Sequence, residues 1–222
     1  MTKQKEQRIK IITPEFRASY PSVFQARKVN QNDPNEQAKF SITMIFRVAE
    51  TPESKKRGEK VVDLKDIKAA VAKIFQEKLG ANWQQELQKR KSDQSMLYRT
   101  PFKDGNSPEL REKDGHGVGT VIVRASSQYK PGVVDAQKAE ILNPQDFFGG
   151  CYARASLHAY WYNTKGNQGV TFGLDNVQKL RDGEPFSGRT KAEDDFDAIE
   201  TPGGAQPAGA GAGASQGDPF GL

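Results

Sequence analysis

Two long segments alternate apolar and polar side chains, and this alternation constrains the fold more than any other feature of the sequence. In residues 38–49 one face carries Phe40, Ile42, Met44, Phe46 and Val48, and the other carries Lys39, Ser41, Thr43 and Arg47, with Ile45 as the exception. A period of two is typical of a β-strand that buries one face. Residues 151–163 repeat the pattern, so the chain must contain long, half-buried strands.

The remaining pattern adds further strands and one clear helix. Strands are predicted at 8–13, 15–29, 117–124, 133–142 and 169–174, with a break or bulge at Pro21. A helix is predicted from an N-cap at Asp63 to Gly80, because Leu64, Ile67, Val71, Ile74 and Phe75 form one stripe. Further helices are expected at 82–91 and 175–181, and loops at 51–60 and 92–119.

This order of elements predicts a mainly β fold. A mostly antiparallel sheet of this size has to close or stack to bury its apolar faces. A small closed antiparallel barrel with a helical insertion at about 63–91 fits the pattern, and a sandwich is the alternative. We expect one such domain at residues 1–192.

The charge is divided unequally between this domain and the rest of the chain. The net charge is +5, from 33 basic and 28 acidic residues. Residues 193–222 contain six of the acidic residues and no Lys or Arg, so residues 1–192 carry +11. A basic body with an acidic tail is typical of a protein that binds a polyanion and has an interaction arm.

The tail itself is expected to be flexible. Residues 201–217 contain no large apolar side chain, so burial cannot offset the entropy of ordering them. Acidic and aromatic residues flank this linker, and we expect them to bind a partner: Asp194, Asp195, Phe196, Asp218 and Phe220.

Residues 151–163 carry the strongest functional signal. Alternation places Cys151, Ala153, Ala155, Leu157, Ala159 and Trp161 on a packing face, and Tyr152, Arg154, Ser156, His158, Tyr160 and Tyr162 on the opposite face. Single-stranded nucleic acid binds to aromatic rings that stack on its bases and to cations that pair with its phosphates. The alternative is that the tyrosines cover a second layer of the core.

The candidate nucleic-acid-binding residues follow from this alternation. The predicted stacking residues are Tyr152, Tyr160 and Tyr162. The predicted phosphate-binding residues are Lys39, Arg47, Arg154 and Lys165.

Signals for an enzyme, a cofactor or a membrane partner are weak. No phosphate-binding GxxxxGK loop or zinc-ligand spacing occurs, and the single Cys151 is on the predicted packing face. The acidic cluster at 193–195 opens the tail, whereas catalytic carboxylates need rigid support. The first residues are charged, and no apolar run approaches a membrane span. We therefore expect a non-enzymatic, cytoplasmic protein without a cofactor or metal.

Several segments resemble one known family. Residues 17–24 (RASYPSVF) are close to its R-x-S-Y-x-x-hydrophobic-F signature, and further matches are 39–46 (KFSITMIF), 150–157 (GCYARASL), 166–170 (GNQGV) and 173–179 (GLDNVQK). Over residues 8–190 the chain resembles bacteriophage single-stranded-DNA-binding proteins that were long catalogued only as a domain of unknown function.

The resemblance implies more than the pattern does. It implies an oligonucleotide-binding (OB) barrel, sequence-independent binding of single-stranded DNA and a role in phage DNA replication or recombination, in the host cytoplasm. The acidic tail of the chain is also similar to that of the wider class of single-strand binders. This similarity implies that the tail recruits replication or recombination proteins. A homo-oligomer is compatible with this reading. The alternatives are a strand-annealing or recombination-mediator protein, a Mg²⁺-dependent nuclease, and a structural phage protein.

Overall fold

The computed structural model describes residues 8–28, 31–91, 95–164 and 166–186, and β-strands dominate this part of the chain. The strands are β1 (Ile9–Ile12), β2 (Phe16–Arg27), β3 (Lys39–Arg47), β4 (Tyr98–Arg99), β5 (Phe102–Asp104), β6 (Thr120–Ser127), β7 (Gly132–Val134), β8 (Tyr152–Thr164) and β9 (Asn167–Arg181). The helices are α1 (Pro52–Lys56), α2 (Lys65–Leu79) and α3 (Trp83–Glu86), with a 3₁₀ turn at Pro144–Asp146. The predicted mainly β class is therefore confirmed.

Five strands pair in a closed cycle. The pairs are β2–β3, β3–β6, β6–β9, β9–β8 and β8–β2. Strand β1 adds to β8, β5 adds to β6, and β4 and β7 both add to β9. The sheet is mostly antiparallel, as predicted, but it departs from the predicted antiparallel barrel at β9, which runs parallel to β4, β6 and β7.

The interior of the cycle and the inner face of α2 share one hydrophobic core. Its largest fully buried side chains include Phe16, Phe46, Phe75, Phe172 and Leu157. Each such side chain contributes roughly 1.5–3 kcal/mol through burial. The predicted packing face of residues 151–163 is confirmed, since Cys151, Ala153, Ala155, Leu157 and Ala159 are buried and Trp161 packs against the core.

Helix α2 confirms the predicted apolar stripe but not its predicted start. Ile67, Val71, Ile74 and Phe75 are buried, and the helix ends at Gly80 with φ +80°. The N-cap is Leu64. Asp63 instead lies one residue earlier, and its Oδ1 accepts a hydrogen bond from the Lys65 backbone N–H at 2.9 Å.

Other elements differ from the sequence prediction at their boundaries. Residues 175–181 were predicted as a helix but continue β9, because Val177 enters the core and pairs with Ala155. Residues 51–60 contain the short α1, and 92–119 contain β4 and β5. The predicted strand at 133–142 is limited to β7 and a bridge between Val134 and Glu140, and the helix at 82–91 to α3.

The irregularity predicted at Pro21 is confirmed. The register between β2 and β3 shifts between Ser19 and Ser22. Tyr20, immediately before the proline, has a φ of +45°. Among the described residues, no helix combines the length and apolarity required to cross a bilayer.

Candidate nucleic-acid interface

An open groove of about 920 Å³ runs along the outer face of β3 and β6. Lys39, Ser41 and Thr43 of β3 line it beside Ile122, Arg124 and Ser126 of β6. The ends of β8 and β9 contribute one wall, and the segment 99–103 with the loop that follows β5 contributes another. The groove lies on the polar face that the alternation in residues 38–49 predicted.

The groove is strongly basic. The cations that line it are Arg27, Lys28, Lys39, Arg99, Lys103, Lys113 and Arg124. No carboxylate lines it in the part of the chain that the structure describes. Such a concentration of positive charge without a counter-charge attracts an extended polyanion.

Two of these cations are direct neighbours across the sheet. Arg27 of β2 pairs with Lys39 of β3 in the strand register, and both side chains are exposed. Like charges opposite each other destabilise a pair of strands. Arg124 lies nearby, and its Nη2 donates to Ser41 Oγ at 3.4 Å. An anion bound between these side chains would offset the repulsion between their charges.

Aromatic rings stand at the walls of the same groove. Tyr160 and Tyr162 of β8 line it and are half-buried. Tyr20 lines it from β2 and is 67% exposed. A tyrosine with a positive φ is strained, and such strain is characteristic of functional positions. Rings beside cations are the combination that binds single-stranded nucleic acid.

Tyr152 does not face outward, so its predicted orientation was wrong. It is only 4% exposed, and Arg181 lies over its ring with its Cζ 3.4 Å from the centroid. The Arg17 guanidinium lies 5.8 Å from the same centroid. The register of β8 against β9 shifts between Tyr152 and Ala153, which breaks the alternation at this end of the strand.

Arg47 is likewise buried rather than exposed beside Lys39. Its Nε donates to Glu59 Oε2 at 2.8 Å and its Nη1 to the Val118 carbonyl at 2.7 Å. The loop before β6 covers this end of β3, where Ile45 is also buried. The apolar Ile45, which interrupted the polar face of the sequence pattern, marks the point at which that face becomes covered.

Glu59 is the centre of a partly buried ion cluster that includes Arg47. Arg57 Nε lies 2.8 Å from Glu59 Oε1, and Arg17 Nη1 lies 3.5 Å from the same oxygen. Burial by itself raises the pKa of Glu59, but hydrogen bonds from Arg57 and Arg47 hold it below its ordinary value. The guanidinium of Arg47 therefore stabilises the fold.

The other predicted residues are divided between two regions. Lys39, Tyr160 and Tyr162 meet in the groove. Arg154 is exposed on β8, the strand of Tyr160 and Tyr162, but its Nε donates to Gln178 Oε1 at 2.8 Å. Six residues separate it from Tyr160, which is about 20 Å along a strand. Lys165 and the tail residues Asp194, Asp195, Phe196, Asp218 and Phe220 lie outside the described residues.

Several groove residues were not among the predicted binding residues. Arg124 follows the alternation of a predicted strand, so its outward face was a usable signal. Tyr20 is exposed by a bulge whose position was predicted but whose direction was not. Arg99 and Lys103 come from a segment that the sequence indicated only as a loop.

Comparison with solved structures places this fold beside phage proteins. The single-stranded DNA-binding protein from bacteriophage Enc34 in complex with ssDNA is 20% identical, with a TM-score of 0.52, over 84% of this chain and 97% of that one. A C-terminal truncation of the same phage protein is 19% identical, with a TM-score of 0.51, over 80% and 88%. These likenesses establish a shared fold.

Weaker likenesses add little. A single-stranded DNA binding protein encoded by bacteriophage T7 is 13% identical, with a TM-score of 0.48, over 90% of this chain and 100% of that one, too weak a likeness to carry an argument. No curated protein matches the sequence significantly.

The family comparison covers most of the chain. Residues 9–205 match the family model described as Enterobacter phage Enc34, ssDNA-binding protein. This match includes every strand of the closed cycle and the whole basic groove. The chain therefore belongs to the Enc34 single-stranded-DNA-binding protein family.

Proposed function

We propose that this protein binds single-stranded DNA without sequence preference along the groove of β3 and β6. The observation that carries the proposal is the coincidence of seven lining cations with Tyr20, Tyr160 and Tyr162 in a groove whose described lining contains no carboxylate. Cations pair with any phosphate and rings stack on any base, so binding requires no particular sequence. Membership of the family and the shared fold support this assignment.

The strand topology supports an OB-type barrel. In this fold the face of the second and third strands binds oligonucleotides, together with the loops between strands one and two and between strands four and five. In the cycle described above, β3 and β6 are the second and third strands in chain order. The loops after β2 and after β8 correspond to those loops. Lys28 and Gln31 of the first loop line the groove, and so does Thr164, the last residue of β8 before the second loop.

We assign phosphate binding to Lys39 and Arg124 first, since both line the groove and are exposed. Tyr160 and Tyr162 are assigned to stacking. Tyr152 and Arg47 are not assigned, because neither side chain is accessible.

The roles beyond binding are also proposals. We propose that the protein protects single strands during phage DNA replication or recombination, as a non-enzymatic factor. The acidic tail would modulate DNA binding or recruit partner proteins.

The test compares the wild type with a Lys39→Ala, Arg124→Ala double variant by fluorescence anisotropy with single-stranded and duplex oligonucleotides over a salt series. Each phosphate neutralised on a single strand contributes about −0.7 to the slope of log affinity against log salt. The double variant should therefore bind more weakly, and its slope should be less steep by about 1.4. Lys73→Ala on the exposed face of α2 is the matched control and should retain the wild-type slope.

The outcome also separates the alternatives. Equal binding of single strands and duplexes, or an unchanged slope in the double variant, would overturn the assignment of this groove. Cleavage of a labelled single strand only when Mg²⁺ is present would favour a nuclease. Faster pairing of complementary strands than in buffer would favour an annealing protein.

A further inference from the structure

We propose that His158 is a positioning residue, fixed by Asp175, that holds the ring of Tyr160 as a preorganised stacking surface at the wall of the groove. This inference rests on the proposed function and deepens it. It assigns a role to a histidine that lines no part of the groove itself.

The two rings are already stacked in the free protein. The centroids of His158 and Tyr160 lie 5.7 Å apart with an interplanar angle of 30°. Both side chains lie on the outer face of β8, two residues apart, so they are neighbours along the strand. One side of the Tyr160 ring is thereby supported, while the residue lines the groove.

Asp175 fixes the imidazole from the neighbouring strand. His158 Nδ1 lies 2.8 Å from Asp175 Oδ1. The register of β8 and β9 shifts between Leu157–Leu174 and Ser156–Asn176, so Asp175 is the extra residue of a β-bulge. A bulge re-aims side chains, and here the next residue, Asn176, donates to Ser156 Oγ on the same outer face.

Gly173 provides the surface on which the imidazole lies. It is the register partner of His158 on β9. A Cβ placed on Gly173 would overlap Cε1 and Nε2 of the His158 ring. Any larger residue at this position therefore displaces the ring, whereas glycine lets it lie flat against the strand.

The three contacts together restrict the rotamer of Tyr160 before DNA arrives. A ring that is already ordered loses less conformational entropy when a base stacks on it. Removal of the support should therefore weaken binding even though the stacking ring remains.

The first experiment is a double-mutant cycle. We would measure the Kd of oligo-dT by fluorescence anisotropy for the wild type, His158→Ala, Tyr160→Ala and the double variant. We expect Tyr160→Ala to weaken binding by about 5- to 150-fold, the range of one base stack. His158→Ala should weaken it by about 3- to 10-fold in the wild-type background and by less than about 2-fold beside Tyr160→Ala, as for residues that act through one another.

The second experiment separates positioning from charge. Asp175→Ala and Asp175→Asn remove the same charge, but only Asn retains an oxygen and an amide that can bind the imidazole. Asp175→Asn should bind oligo-dT about 3-fold or more tightly than Asp175→Ala. Gly173→Ala should resemble His158→Ala. Thermal unfolding of each variant controls for loss of fold. Because Asp175 is partly exposed, the comparison of its two variants can still be made if His158→Ala does not fold.

The outcomes distinguish this inference from the proposed function. A wild type that binds no single-stranded DNA overturns both. A wild type that binds, with Tyr160→Ala weakened but His158→Ala and Gly173→Ala unchanged, overturns the positioning role alone. The positioning role is also overturned if His158→Ala weakens binding of oligo-dT by the same factor in the wild type and in Tyr160→Ala. Equal Kd values for Asp175→Ala and Asp175→Asn overturn it as well.

Discussion

Single residues divide the polar face of the sheet into an accessible and a covered part. Along β3, Lys39 is exposed in the groove whereas Arg47 is bound to a carboxylate beneath a loop. Along β8, Tyr160 lines the groove whereas Tyr152 is buried in contact with the guanidinium groups of Arg17 and Arg181. The same residue types at the same strand periodicity thus line the open groove at one end of a strand, where we propose that they bind DNA, and support the fold at the other.

Tyr20 gives a test of function at one strained position. We expect Tyr20→Asn to weaken binding of oligo-dT by about 5-fold or more, because one stacking ring is lost. Asn tolerates a positive φ better than Tyr, so the free energy of unfolding should stay within about 1 kcal/mol of the wild type. Anisotropy and urea unfolding measure the two effects.

The control for this variant is Tyr129→Asn. Tyr129 is 83% exposed and does not line the groove, so its loss should leave Kd unchanged. Equal effects of the two substitutions would show that ring position is irrelevant to binding.

Cys151 gives a test of the core. It is fully buried, and burial raises the pKa of its thiol to about 11. Because the thiolate is the reactive form, we expect no reaction with a thiol reagent at pH 7.5 in the native protein and stoichiometric reaction in urea. Rapid labelling of the native protein would mean that β8 opens locally at its start.

At the scale of elements, the loop after α1 secures one end of the cycle. Glu59 is 6% exposed and joins guanidinium groups from β2, β3 and its own loop. Nearby, the Val62 backbone N–H donates to the Arg47 carbonyl at 2.8 Å, which attaches the segment before α2 to the end of β3. The ion cluster therefore joins β2 and β3 to the loop after α1 at this end of the cycle.

Glu59→Gln tests this link through pH. Removal of one partner from a buried ion pair costs about 3–5 kcal/mol, so the variant should be less stable by about that amount at pH 7. The pKa of Glu59 is lowered in the folded state, so its contribution is complete above the ordinary glutamate pKa, about 4.3. That contribution is lost as the pH falls through the lowered folded pKa.

The measurement is urea unfolding of both proteins between pH 7 and pH 2.5. The stability difference between them should shrink below about pH 4.3. Glu50→Gln is the control, since Glu50 forms an exposed 4.0 Å pair with Lys55, its one ion pair among the described residues, and should contribute at most about 1 kcal/mol. A difference that stays constant across the acid range would contradict the assigned role of the carboxylate.

At the scale of the whole molecule, the distribution of charge along the chain determines how the acidic segment should affect DNA binding. Residues 1–192 carry +11 and residues 193–222 carry the six remaining acidic residues. Deletion of 193–222 should tighten binding of single-stranded DNA, because the acidic segment no longer competes for the groove. The gain should be larger at low salt, where screening is weaker.

A variant of equal length separates charge from chain length. Conversion of the six acidic residues to their amides should reproduce the effect of deletion if charge is responsible. Salt-dependent anisotropy titrations measure both proteins. Unchanged or weaker binding by the truncated protein would refute competition by the tail and leave partner recruitment as its proposed role.

The sequence alone determined the elements whose signal is local. Alternation in 38–49 and 151–163 identified β3, β8 and the buried face of each, and the stripe from Ile67 to Phe75 identified α2. These patterns are readable because burial of one face repeats with the period of the strand or helix itself.

Only the tertiary structure decided which part of each polar face is open. It buried Tyr152 and Arg47, placed Arg154 away from the groove, and brought Tyr20, Arg99 and Arg124 into the same groove as Tyr160. It also kept residues 175–181 in β9, because core contacts outweigh the weak helical tendency of so short a segment. Periodicity specifies which side of a strand faces away from the core, whereas the covering of that side depends on loops and strand partners distant in sequence.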